Sequence, residues 1–240
     1  GMTITSQEAW TLRENTKAET VVPAYIREII EEVAFVAREH QKIDGRSGVS
    51  QRLPISCLET AVSNAERRTL ANGEPNTVVR VADIYTALPS LTGKFELEYE
   101  GELRGADSIA REVVRKAVGL IFDGWFENRD TQNVVEWFDL GGTLELDDTT
   151  SAAVLLERTE HIHGLRELAE HTSVNAKDSA PVVAAAVEFV IEGLYAKRKI
   201  SRSDDWHYSA IKSPQQTAAA MEQRFETDML LPQGKKKYYN

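Results

Sequence analysis

The sequence predicts a mainly α-helical fold with a few short strands. Three observations carry that expectation. Apolar residues recur at helical spacing over four long stretches, those stretches open and close on capping residues, and strand-like alternation is confined to short runs.

Residues 1–20 read as a polar N-terminal arm, a short helix or an extended segment, with Trp10 as its one large anchor. Pro23 then opens a helix, where a missing N–H costs nothing. Ile26, Ile29, Ile30, Val33 and Val36 form its apolar stripe, and the pattern fades near Lys42. The stretch Asp44 to Arg52 is a loop by composition. Ser50 is a candidate N-cap for the next helix, with Pro54 in its first turn. Its stripe is Ile55, Leu58, Val62, Ala65 and Leu70, and Asn72-Gly73 stops it. Thr77–Val81 is β-branched and reads as a small strand. Asp83 starts a short helix that Pro89 is expected to end.

Residues 21–92 thus read as one helical unit, and 93–105 as a linker or hairpin, since Phe95, Leu97 and Tyr99 alternate with glutamates. The second helical unit spans 106–202. Its first helix runs to about Phe126, and an apolar group at Val134–Phe138 ends on Gly141-Gly142. A brief strand at Leu144 and Leu146 follows, then helices at about 149–161 and 164–172. Asp178-Ser179-Ala180-Pro181 starts the last helix. Residues 203–240 read as a polar C-terminal tail.

Of the 240 residues, 42% are hydrophobic and 28% charged, a balance that supports a globular core. Cys57 is the single cysteine, so no intramolecular disulfide forms, and a reducing, cytoplasmic location is expected. No apolar run approaches the roughly 18 residues of a membrane span. The formal net charge of −10 works against nucleic acid and anionic membranes as partners. A phosphate contact would have to come from a local basic spot, and three stand out: Arg67-Arg68, Lys197–Lys199 and Lys235–Lys237.

Catalytic signatures are missing. There is no phosphate-binding loop of the form G-x-x-x-x-G-K-[ST], no dinucleotide fingerprint, no H-E-x-x-H and no serine elbow. The chain alone is therefore expected to be inactive on nucleotides and to carry no cofactor. His163, Glu167 and His171 fall at i, i+4, i+8, which on one helix face could hold zinc; a solvated helix face explains the same spacing, and no metal site is assigned. Asp147-Asp148 and Asp204-Asp205 suit turns and caps better than acid–base pairs. Cys57 lies among apolar neighbours as a small core residue. Arg46 and Arg52 flank a Gly-Val-Ser turn. Arg52 stands at the mouth of a helix, where unpaired N–H groups and a guanidinium together suit phosphate oxygens. Pairing of the arginine with Glu59 or Asp44 is the competing explanation.

The segments Lys42-Ile43-Asp44, Arg46–Ile55, Glu59, Ser63–Arg68, Val81–Pro89, Gly93–Gly101 and Trp137–Gly142 resemble the C-terminal region of the magnesium-chelatase-like AAA+ ATPases, relatives of the chelatase I subunit and the MoxR group. The likeness covers roughly residues 7–145. It implies a helical AAA+ lid-like module followed by a second helical domain. It also implies that Arg52 is the sensor-two arginine, which contacts the γ-phosphate. ATP and magnesium would belong to the complete enzyme. The partners implied are the AAA+ core domain, missing here, and neighbouring ring subunits. On this reading the chain is a C-terminal fragment or the product of a split gene. It couples ATP state to remodelling of, or metal insertion into, a client protein. The alternative is a stand-alone helical interaction module with no nucleotide dependence.

Overall fold

The fold is mainly helical with a few short strands. The computed structural model describes residues 2–9, 11, 20–45, 49–172, 174 and 178–211. Trp10, Arg46 and Lys235–Lys237 lie outside the described residues.

Helix α1 (Met2–Glu8) precedes a two-residue strand β1 (Thr20–Val21). Pro23 then caps α2 (Ala24–Glu39), whose buried face is the stripe read from the sequence. Helix α3 (Leu53–Asn72) carries Pro54 in its first turn and ends on Gly73, which takes the left-handed conformation (φ 65°) that a side chain would resist. Strand β2 (Thr77–Val78) pairs in parallel with β1. Helix α4 (Val81–Thr86) is closed by a capping box, with the Asp83 carboxylate accepting from the Arg80 amide at 2.7 Å. Pro89 does not end this helix. It sits in the first turn of a further helix, α5 (Leu88–Thr92), where its missing N–H is harmless.

Residues 95–98 run extended beside the end of α2. Leu97 bridges Ile43, the Asp44 amide donates to the Glu96 carbonyl, and the Glu98 amide donates to the Lys42 carbonyl. Tyr99 then enters α6 (Tyr99–Arg104) instead of continuing the alternation. Helices α7 (Ala106–Trp125) and α8 (Gln132–Asp139) follow, then strand β3 (Leu144–Glu145). Helices α9 (Ala152–Thr159) and α10 (Leu165–Glu170) are shorter than the sequence pattern. Helix α11 (Ala180–Ala196) leads into β4 (Ser201–Arg202) and β5 (His207–Ser209). β5 lies between β3 and β4, antiparallel to both. Periodicity stops at Arg202, but Tyr208 on β5 is fully buried.

One hydrophobic cluster runs through both helical stretches. α2 packs along α7, and α11 packs against α4, α7, α9 and α10. The rings of Tyr25 on α2 and Phe189 on α11 stack at 4.4 Å. Trp125 on α7 donates its indole N–H to Glu28 on α2 at 2.6 Å.

The core also holds charges. Arg68 meets Asp83 at 2.5 Å, with 3% and 0% of the two side chains exposed. Asn64 donates to the same Asp83 oxygen at 2.6 Å, and Arg68 also donates to the Val78 carbonyl at 2.7 Å. Glu188 on α11 accepts from the Ala82 amide at 2.8 Å and lies 3.1 Å from Arg80 Nε. That last contact lacks hydrogen-bond alignment, and both atoms have no hydrogen-bond partner. Burial pushes the Glu188 carboxyl up, against the pull of Arg80. One turn further on, Glu192 accepts from Arg202 at 2.6 Å and from the Tyr208 hydroxyl.

A buried carboxylate stripped of its cation is costly. Arg68→Ala, which strands Asp83, is expected to lower unfolding stability by about 3–5 kcal/mol, read from the urea midpoint at unchanged slope. Gly193 is a second sensitive point, because a Cβ there would meet Phe122 Cδ2 at 2.0 Å. Gly193→Ala is expected to cost about 1–3 kcal/mol through overpacking. A melting temperature equal to wild type would show that Phe122 moves aside freely.

Candidate functional site

The residues around Arg52 are held from both sides. Val49 and Leu53 are buried in the core, and the Ser50 amide donates to the Lys94 carbonyl at 3.1 Å. Between these anchors Gln51 and Arg52 are exposed. Ser50 lies two positions before the N-cap, Arg52. Its hydroxyl accepts from the Arg52 amide at 3.2 Å and its carbonyl accepts from Leu53, so α3 starts at Leu53 with Arg52 as the flanking residue. The guanidinium of Arg52 therefore leaves the surface at the amino end of a 20-residue helix, where the backbone contributes positive partial charge. Among the described residues Arg52 forms no ion pair, with Glu59 and Asp44 included. Arg46, its companion across the turn, lies outside the described residues.

This arrangement can offer a bidentate cation, at the positive end of a helix, to an anion arriving from outside. Among the described residues it is a single contact, with no glycine-rich cradle of amides around it.

The other sequence candidates fall out differently. His163, Glu167 and His171 do not share one helix face. α10 spans only Leu165–Glu170, His163 precedes it across the left-handed Gly164 (φ 81°), and His171 is its C-cap. All three line one open cleft, yet no group of three His, Cys, Asp or Glu side chains is placed to hold a metal ion among the described residues. Cys57 is buried, and desolvation pushes its thiol up to about 12, which leaves it protonated and unreactive. Asp147 works in a turn, accepting from the amides and hydroxyls of Thr149 and Thr150 at 2.7–2.9 Å. Arg67 reaches Asp148 at the surface, whereas its neighbour Arg68 belongs to the buried network.

Sequence reading missed a second basic location. Arg104, Arg111, Arg115 and Arg202 line one cleft although they are spread over almost a hundred residues. The only local signal was the i, i+4 spacing of Arg111 and Arg115 on α7.

The chain matches no family model, no curated protein and no solved structure. Among the described residues no helix is long and apolar enough to cross a membrane.

Zinc is expected to leave the melting temperature unchanged. A rise of several degrees that disappears in His163→Ala would show that the three side chains converge on a metal in solution.

Proposed function

We propose that the chain is the lid and C-terminal helical part of a magnesium-chelatase-like AAA+ ATPase. In that enzyme Arg52 senses the γ-phosphate of ATP held on a separate nucleotide-binding core. The observation that carries this reading is the exposed Arg52 at the mouth of α3, without an ion pair among the described residues, within the stretch that resembles such a lid. Ser50, Val49 and Leu53 fix the backbone on either side, so the guanidinium is presented from a defined position. ATP and magnesium belong to the core, and this chain supplies one charge-assisted contact to the phosphate. Neighbouring ring subunits and a client protein are the partners of that activity, in a cytoplasmic setting. The lid acts as a rigid-body switch whose position depends on whether the γ-phosphate is present.

Two outcomes follow. The chain alone is expected to bind ATP with magnesium weakly, because one guanidinium and a helix end supply only part of a phosphate site. Micromolar one-site binding by calorimetry would reveal a nucleotide site of its own. In the enzyme completed with its ATPase core, Arg52→Ala is expected to change stability by no more than about 0.5 kcal/mol. Phosphate release should fall by tenfold or more, on the order of 1.4 kcal/mol of barrier per factor of ten. Unchanged turnover would sink the sensor role. A large drop in melting temperature would make Arg52 a structural residue instead.

A further inference from the structure

The chain carries a net charge of −10, yet four of its arginines meet at one cleft. A cleft of about 170 Å³ lies between α6, α7 and the turn that follows β4, and four arginines line it. Among the described residues, Glu112 and Asp204 are the acidic ones that line it. Arg104 is engaged by Glu112 at 2.9 Å, and Arg111 by Asp107 at 2.7 Å. Arg115 has no carboxylate partner among the described residues; its guanidinium sits 5.9 Å from the ring centre of Tyr195. A second cleft shares Glu112 and Arg115 with the first and adds Lys42, Lys116 and Arg198, so the basic surface is continuous.

The floor of the first cleft is built, not incidental. The Arg202 side chain is only 7% exposed. The rings of Tyr85, Tyr195 and Trp206 surround its guanidinium at 4.2–4.4 Å, and Glu192 holds one Nη group. Stacking of this kind fixes the plane of a guanidinium and leaves its remaining N–H donors to be used. Arg104, Arg111 and Arg202 each hold a carboxylate, which leaves Arg115 as the arginine of the cleft whose charge an incoming anion would balance.

We propose that this cleft binds a phosphoryl group. Its volume is below the roughly 300–1,000 Å³ of pockets for drug-sized ligands, so it suits a small anionic head. The arginines come from three different elements, and Ser108 and Ser203 add neutral hydroxyl donors. A tetrahedral phosphoryl group offers oxygens in several directions, whereas a carboxylate accepts in one plane. Clusters of arginine are the usual means of reading a phosphorylated side chain. No residue of the cleft is Arg52, so the proposal stands apart from the lid reading.

Calorimetry on the full chain at low salt tests it, with three probes: inorganic phosphate, a capped phosphoserine peptide, and the same peptide with glutamate in place of phosphoserine. One-site, salt-sensitive binding of phosphate or of the phosphopeptide is expected, with the glutamate peptide much weaker. Equal affinity for phosphate and phosphopeptide would identify a free phosphate as sufficient; tighter phosphopeptide binding would identify a phosphorylated protein as the source. Arg115→Gln and Arg111→Gln should each weaken binding roughly tenfold or more, with unchanged circular dichroism. Arg129→Gln, outside the cleft, should bind as wild type. Absence of saturable binding, equal binding of the glutamate peptide, or an equal loss in Arg129→Gln would overturn the proposal.

Discussion

Two glutamates one turn apart on α11 set the architecture. Glu188 and Glu192 are 2% and 0% exposed, and neither can be buried as an anion without a cation and hydrogen bonds. Glu188 draws in Arg80 and the Ala82 amide in the first turn of α4. Glu192 draws in Arg202 and Tyr208 and so folds β4 and β5 back onto the helix. Arg68 and Asp83 extend the same polar seam to α3. Stretch 21–92 is therefore tied to stretch 106–202 by charges as well as by apolar packing; the Asn72 side chain donates to the Thr149 carbonyl, and the Glu74 carboxylate accepts from the Ala152 amide at the start of α9.

This seam bears on the proposed function. A lid that reports a γ-phosphate must move as a body, and Arg52 stands at the start of α3, the helix that carries Asn64 and Arg68 into the buried network. The phosphoryl cleft lies at the other end of that network, because Arg202 is shared between Glu192 and the cleft floor. Occupancy of the cleft would thus bear on a residue that also anchors α11.

Much of the helical framework was legible in the sequence because caps and apolar stripes are local. Pro23, Gly73 and Ser179 mark their helix ends where the pattern places them. The place of Arg52 at the mouth of a helix was legible for the same reason, since Pro54 marks the first turn of α3. The departures have non-local causes. Tyr99 enters α6 because residues 95–98 have already used their backbone groups on 42–44. β5 escaped notice because it is three residues long and its burial depends on Glu192, sixteen positions away. The histidine spacing misled because Gly164 breaks the helix that the spacing assumes. The arginine cleft joins residues of α6, α7 and β4, a convergence that no local pattern encodes.

The central claim is that the buried seam makes the two stretches one cooperative unit. Native-state hydrogen exchange tests it most directly. Amides in the middle of α3 and of α11 should open with the same free energy and the same denaturant dependence, as members of one global unfolding event. If α3 opened at a markedly lower free energy than α11, the two stretches would be separate units and the lever that the account requires would not exist.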